Sequence, residues 1–383
     1  MGTVRIGIIG MGGMGYTHCK NIVSIKETKL TCVCDNEEKV AREKGREFGV
    51  EYFSDYREMM KSGLCDAVIV VIPHWFHADA GVFALENGLH VLSEKPLSVT
   101  VSDADRMVKA AKQSGKVFTV MHQMRTEPIF RKAKEIINSG AIGEVMRTLC
   151  IDPWYRTQFY YDSGAWRATW KGEGGGVLIN QAPHTIDLFI MLGGFPVRIK
   201  ANTRTRLHKI EVEDEVAALL EYKNGAWGYY YATTCELPER QFRIEIVGDK
   251  GKLIIRGYNL YLYRYSAPVS KYTFEAKEMW AGITVEKEAL KFKSNVATGA
   301  VEIIKNFAAA ILRGEKLLVS GEDGLRTMEF INACILSGKK NKSVDIPVDR
   351  KEYDRLMNSL KKSSKPKKRV VVQRATDPRL IKK

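Results

Sequence analysis

The 383-residue chain has no run of 18 consecutive apolar residues, so it offers no candidate membrane helix. Its seven cysteines are an odd number without framework spacing, which argues against a disulfide scaffold. Cys32 and Cys34 stand two apart on an expected strand, with side chains on one face, and read as small buried hydrophobes. No cluster of His, Cys and Asp has metal-ligand spacing, and no catalytic metal is expected. Nothing resembling a secretory leader precedes the first strand-like residues at Thr3. With the unpatterned cysteines, that leads to an expectation of a reducing, cytoplasmic setting. No internal repeat is visible.

Charge is not scarce, but it is unevenly placed. The net charge is +15, and residues 361–383 carry ten Lys and Arg against one acid, Asp377, so +9 of that excess lies in a terminal tail. A basic groove for nucleic acid would spread its charge over the fold, so nucleic acid is not the expected partner. The tail reads instead as an extension that partly docks on its own chain, with residues 370–372 as a short strand.

The length suits two domains of roughly 100–200 residues each. Strand-like runs at 3–9, 29–34, 66–72, 89–93 and 117–121 alternate with helix-like stretches at 13–24, 37–48, 55–61, 77–87 and 102–114. That alternation predicts a doubly wound parallel sheet over residues 1–122. Beyond it the pattern predicts a helix at 128–139, a strand at 144–151, a long loop at 152–176 and a helix at 177–192. Strands follow at 197–206, 214–222, 226–235, 241–247 and 252–256, then closing helices at 297–313 and 322–337. Asn224-Gly225 and the segment from Gly248 to Gly251 read as hairpin turns. Residues 123–360 are therefore expected to form an α+β unit, an open and largely antiparallel sheet with helices on one face, and 361–383 the tail.

Gly10-Met11-Gly12-Gly13-Met14-Gly15 holds glycines at the spacing G-x-G-x-x-G, after a strand and at the opening of a helix. Asp35, just past the second strand, supplies the acid expected about 20 residues on. Gly10 suits the tight turn, Gly12 close approach of backbone to a pyrophosphate, and Gly15 close packing of helix and strand. The free N–H groups of the helix start would face the phosphates. A carboxylate at Asp35 would accept from ribose hydroxyls and repel a 2′-phosphate, which favours NAD over NADP. Asp35 could also serve as a helix N-cap.

Glu94-Lys95-Pro96 follows the fourth strand run, where open α/β sheets place their ligands. Pro96 keeps Lys95 out of a helix. Asn180 and His184 are four apart, and on a helix they would share one face. The preceding Gly174, Gly175 and Gly176 would allow a ligand close to the backbone. His184 suits proton transfer from a hydroxyl during hydride loss, and Lys95 could stabilise the developing alkoxide.

These motifs, with Pro73-x-x-x-His77, the Trp166-Arg167 pair and the run from Gly174 to Asp187, together resemble the Gfo/Idh/MocA oxidoreductase family over about residues 3–350. The resemblance implies a Rossmann domain binding NAD(P), and a C-terminal domain whose sheet lies beneath the substrate and mediates a homodimer or homotetramer. It implies that Lys95 and His184 are catalytic, with His184 the acid/base. It places Pro73, His77 and Glu94 on the nicotinamide side and has Trp166 and Arg167 touching cofactor or substrate. Many members carry Asp four residues before the His, where this chain has Asn180. An Asp–His relay is thereby weakened, while a His-plus-Lys mechanism is not.

The loop 153–170 concentrates three Trp, three Tyr and two Arg. Tyr155, Arg156, Tyr160, Tyr161 and Trp166 are the substrate candidates, since aromatic faces stack on sugar rings. Packing between domains or subunits is the competing reading. The expected activity is hydride transfer between NAD and a carbon of a sugar, sugar-like polyol or glycoside. The alternatives are a glycosidase that retains NAD and oxidises its sugar transiently, and a non-catalytic sensor of NAD and sugar.

Overall fold

In the computed structural model, residues 2–237, 242–292, 298–367 and 370–371 are described. Six strands alternate with helices in the first third of the chain: β1 (Val4–Ile9), α1 (Gly13–Val23), β2 (Thr28–Cys34), α2 (Glu38–Phe48), β3 (Glu51–Phe53), α3 (Tyr56–Lys61), β4 (Ala67–Val70), α4 (His77–Glu86), β5 (His90–Ser93), α5 (Val101–Ser114) and β6 (Phe118–Val120). The strands are parallel in the order β3-β2-β1-β4-β5-β6. The direction of winding reverses between β1 and β4, so a crevice opens beyond their carboxyl ends. β4 and β6 are buried throughout, as expected of strands covered on both faces. The short β3 was not expected; three residues, two of them exposed, carry too little apolar signal.

The second sheet is built from β7 (Val145–Pro153), β8 (Arg198–Arg204), β9 (Glu215–Glu221), β10 (Trp227–Thr233), β11 (Arg243–Gly248), β12 (Gly251–Arg256), β13 (Asn259–Tyr265), β14 (Val285–Leu290) and β15 (Val344–Asp345). Its order is β14-β13-β12-β11-β7-β10-β9-β8-β15, antiparallel everywhere except β7 against β10. Both expected hairpins are present, and Gly225 takes the positive φ of +83° that its turn demands. β13 and β14 were not expected; β14 is almost wholly exposed and shows no buried face, whereas β13 alternates, with Leu260 and Leu262 buried.

The helices of this half are α6 (Pro128–Asn138), α7 (Gln158–Asp162), α8 (Val177–Asn180), α9 (Pro183–Gly193), α10 (Val269–Glu275), α11 (Ala300–Arg313), α12 (Gly321–Lys340) and α13 (Arg350–Ser363). α6, α9 and α12 cover one face of the sheet. Beneath them Tyr230 packs its ring 6.0 Å from Phe189 of α9 and 5.2 Å from Phe330 of α12. On the other face Trp227 and Tyr229 alternate outward along β10.

α12 joins the two sheets. It opens with a reciprocal cap in which Ser320 and Asp323 satisfy each other's backbone N–H groups. It then packs on α5 and β6 as well as on β8. Its buried Asn332 accepts from Val101 N at 2.9 Å and donates to Val99 O at 3.1 Å. α13 was not expected from the sequence; it is strongly polar, and only Tyr353 and Met357 of its side chains are buried. Among the described residues no helix is long and apolar enough to cross a membrane. Of the strand expected at 370–372, Val372 lies outside the described residues. Val370 and Val371 form no strand, although Val371 N donates to Asp162 O at 2.8 Å.

Candidate functional site

The loop after β1 lies in the crevice at the winding reversal. Gly10 has φ +95°, and a Cβ there would stand 2.2 Å from Val71 O. A Cβ on Gly15 would lie 1.9 Å from Gly10 O, so Gly15 lets the first turn of α1 close on the loop itself. Around Gly12 there is open space, and no side chain caps α1. The uncapped N–H groups are what a pyrophosphate would occupy. Asp35 accepts from Met11 N at 2.9 Å and from Glu37 N at 3.0 Å, so its carboxylate fixes the phosphate loop from the next strand. Arg42 and Lys44 are engaged by Glu38 and Glu47 along α2, at 2.6 and 2.7 Å. The residues present therefore fit NAD.

Glu94 and Lys95 leave the carboxyl end of β5. Glu94 Oε1 lies 2.7 Å from His18 Nε2 of α1, and its Oε2 accepts from Lys95 N at 3.0 Å. Burial opposes ionisation of Glu94, but the His18 hydrogen bond and the Lys95 charge hold its carboxyl below the usual range. His77 sets its two ring nitrogens 2.9 and 2.6 Å from the main-chain oxygens of Pro96 and Ile72 and so ties the Lys95 turn to α4. Pro73 precedes the short turn His74–Phe76 that leads into α4.

Lys95 Nζ donates to Asn180 O at 2.8 Å. Burial lowers its pKa, against the pull of Glu94 and Glu173. Asn180 and His184 do not share one helix as expected. Asn180 ends α8 and His184 is the second residue of α9, because Pro183 has no N–H to continue the first helix and starts another. The chain still brings them to one place. His184 is partly exposed, its Nδ1 has no partner among the described residues, and burial, Lys95 and His122 push its pKa well below 6.5.

The aromatic loop centres on Tyr160. Its hydroxyl donates to Asn180 Oδ1 at 3.3 Å and accepts from Arg167 Nη1 at 2.9 Å and Gln181 Nε2 at 3.1 Å. Arg156 lies 5.1 Å from the rings of both Trp154 and Tyr160, and Arg167 lies 4.6 Å from those of Tyr160 and Trp166. Tyr155 is half-buried and bridges to Cys235. Tyr161 is placed differently from the other substrate candidates. It is 2% exposed, and its hydroxyl is already bonded to Thr234 Oγ1 at 2.7 Å, so it packs inside the protein.

Among the described residues the tail does dock on this loop, through Ser364, Lys365, Lys367 and Val371. Ser364 Oγ donates to Glu211 Oε2 at 2.6 Å, Lys365 N to Glu211 Oε1 at 2.6 Å, and Lys367 Nζ to Gly164 O at 3.1 Å and to Tyr161 O. Glu211 also accepts from Trp170 N, so one carboxylate holds tail and loop together. His208, Asp214 and Cys235 come close enough to share a cation, which their sequence spacing did not suggest. Their polar atoms already serve the fold. Asp214 accepts from the N–H groups of Arg206, Leu207 and His208 and from the His208 ring, and His208 Nε2 lies 2.7 Å from Arg156 O.

Three residues near the centre escaped sequence reasoning. His122 follows β6, is 1% exposed, has no partner among the described residues for either ring nitrogen and stands edge-on to His184 at 5.8 Å. His74 stacks edge-on against Trp166 at 5.9 Å. Glu173, buried, accepts from the Asn180 side chain and from Ala168 N at 2.5 Å. Only Glu173 had a signal, as an acid set directly before three glycines. The unsatisfied nitrogens of His122 and His184 suit a polar ligand, since leaving each unpaired costs about 1–3 kcal/mol.

Comparison with known proteins agrees with this geometry. Residues 4–122 match the family described as "Oxidoreductase family, NAD-binding Rossmann fold", and residues 130–254 match the "GFO/IDH/MocA C-terminal domain". The chain is 30% identical over 259 residues to scyllo-inositol 2-dehydrogenase (NAD(+)) of Bacillus subtilis (strain 168), covering 66% of this chain and 73% of that protein. It is 25% identical to myo-inositol 2-dehydrogenase of Thermotoga maritima over 351 residues, 90% of this chain and 98% of the relative. Among solved structures, the WlbA dehydrogenase from Bordetella pertussis in complex with NADH and UDP-GlcNAcA superposes with a TM-score of 0.76 at 26% identity, over 91% of this chain and all of that one. Levoglucosan dehydrogenase with NADH and levoglucosan shares the fold at a TM-score of 0.76 and 23% identity, over 90% of this chain. The chain is thus an NAD-binding oxidoreductase and belongs to the Gfo/Idh/MocA family.

Proposed function

We propose that this chain is an NAD(H)-dependent dehydrogenase of a cyclic polyol, sugar or glycoside, with His184 as acid/base and Lys95 assisting at the reacting oxygen. One observation carries the reading: Lys95, from the first sheet, meets Asn180 and His184, 85 or more residues later in the chain, at the carboxyl end of β5 beside the dinucleotide loop. NAD, when bound, supplies the hydride acceptor. The chain's own residues handle the proton. His184 is neutral at pH 7 and so is able to accept the hydroxyl proton, while the Lys95 ammonium steadies the oxygen as charge builds on it. Tyr160, Arg156, Arg167 and Trp166 are read as the substrate wall, whose alternating rings and guanidinium groups suit a ring bearing hydroxyls.

The relatives named for inositols and levoglucosan support the substrate class. Two units are proposed, 1–122 holding NAD and 123–360 holding substrate, with the tail 361–383 appended. A homodimer or homotetramer is proposed through the open face of the second sheet, where Leu219, Trp227 and Tyr229 are 44%, 50% and 44% exposed side by side. A cytoplasmic setting fits seven unpaired thiols.

The test is NADH absorbance at 340 nm with NAD and a panel of inositols, aldoses, levoglucosan and aryl glycosides. NADH growth with one class supports the reading. Release of the aglycone without net NADH would move the assignment to the NAD-retaining glycosidase. Binding without turnover of any panel member would favour the sensor.

A further inference from the structure

The position four before His184 is an amide, Asn180, yet the centre does not lack a carboxylate. Glu173 supplies one from seven residues earlier in the chain. It is 1% exposed. One oxygen accepts from Asn180 Nδ2, and the other accepts from Ala168 N at 2.5 Å, a residue held at φ +50°. The main chain of Glu173 is fixed as well, its N–H on Thr169 O at 2.9 Å and its carbonyl 3.2 Å from His74 Nδ1. A carboxylate only accepts hydrogen bonds, so it determines which end of the Asn180 amide faces it. With Nδ2 held by Glu173, Oδ1 is turned to the Tyr160 hydroxyl, 3.3 Å away. The Asn180 carbonyl in turn accepts from Lys95 Nζ at 2.8 Å, so one short chain of contacts joins Glu173 to the catalytic ammonium.

We propose that Glu173 is the displaced carboxylate of this centre, a positioning residue that fixes the Asn180 amide and balances the charge of Lys95. The proposal rests on the dehydrogenase reading for its catalytic consequence, but not for its electrostatic one. The charged and titratable groups facing Lys95 are Glu94 at its own turn, Glu173, Arg156 and Arg167 from the loop, His74 before α4, His184 on α9 and His122 after β6. Of these only Glu94 and Glu173 favour its cation. Glu94 already bonds His18, so Glu173 is the acid free to follow what happens at position 180.

The decisive experiment moves the carboxylate. Glu173→Gln keeps an oxygen for Ala168 N but sets donor against donor at Asn180. Asn180→Asp sets carboxylate against carboxylate. The double variant restores one carboxylate and one amide with their places exchanged. In full-length protein carrying 13Cε-labelled lysine, the Lys95 resonance is assigned by its loss in Lys95→Arg and titrated in all four forms. Removing Glu173's charge is expected to lower the Lys95 midpoint by about one pH unit, and the double variant to return it to near the wild-type value. Turnover of whichever panel polyol is oxidised should fall about 10- to 100-fold in Glu173→Gln, as losing a hydrogen bond to a charged group implies, and recover in the double variant. An unmoved Lys95 midpoint in Glu173→Gln, or a double variant no better than the worse single, overturns the proposal. If Glu173→Gln does not fold, Glu173→Asp takes its place, and a drop in the Lys95 midpoint with the charge retained overturns it. Absence of turnover in the wild type would count against the dehydrogenase reading alone, because the titration needs no substrate.

Discussion

Lys95 donates its ammonium to the main-chain oxygen of Asn180, 85 residues later, at 2.8 Å. This bond joins the carboxyl end of β5 to the end of α8, and under the proposed function it fixes where the reacting hydroxyl would lie. A half-buried cation tied to a main-chain oxygen keeps two donor hydrogens for another partner. Lys95→Met, which retains most of the stem and removes the charge, is expected to lower kcat by about 10²–10³, the range for loss of one oxyanion donor. The NADH dissociation constant should stay within about threefold, since the Lys95 ammonium bonds Asn180 O rather than the phosphate loop. A variant that loses NADH binding and keeps kcat would contradict this placement.

The acid limb of the pH profile follows from His184. Burial, with Lys95 and His122 beside it, pushes the imidazole well below 6.5. A base acts in its neutral form, so kcat/KM for oxidation should stay flat from pH 8 down through 6.5 and fall only at lower pH. A limb centred at or above 6.5 would mean that another group takes the proton.

Asp35 accepts from Met11 N at 2.9 Å, and under the proposed function its carboxylate would also face the adenosine ribose and set cofactor choice. Asp35→Ala should cut the NAD-to-NADP ratio of kcat/KM by about tenfold or more, because a hydrogen bond to a charged group contributes about 1.5–3 kcal/mol. An unchanged ratio would place discrimination elsewhere on α2.

Stability should fall as the solution becomes alkaline, and Glu213 is a named cause. Its Oε1 accepts from Gly176 N and Leu178 N, holding the glycine run, while Oε2 is buried without a partner among the described residues. Burial pushes this carboxyl up to about 7 from 4.5. A folded-state pKa above the unfolded one gives stability that is complete below pH 4.5 and is lost as pH rises through about 7. The loss is on the order of 2–3 kcal/mol. Glu213→Gln should therefore shrink the fall in Tm between pH 5 and pH 8. Asp152, which burial also pushes up to about 7, leaves a residual slope. Equal slopes in wild type and variant would remove Glu213 from the account.

The first sheet was readable because its strands are short apolar runs at regular spacing, and Gly10 and Asp35 stand in the full context of their motif. The exposed β14 shows no buried face, and α13 carries only a narrow stripe, Tyr353, Leu356, Met357 and Leu360, in an otherwise polar segment. Lys95, Asn180 and His184 were legible by their place after strands and glycines, although Pro183 splits the helix that was to carry two of them. His122 and Glu173 were hidden. A single His after a strand has no pattern, and the hold of Glu173 on Asn180 depends on a turn at 168–176 that no periodicity encodes. Tyr161 shows the converse. Its composition matched its neighbour's, and only burial separates the two.

The central claim is hydride transfer with proton removal by His184. It is tested most directly with a carbon-deuterated member of the panel and NAD, following deuterium at C4 of the nicotinamide by mass spectrometry in wild type and His184→Ala. One deuterium per NADH formed is expected in the wild type, with a rate about 10²–10⁴-fold lower in the variant, the usual contribution of a general base. NADH without deuterium, or equal rates in the two proteins, would contradict it.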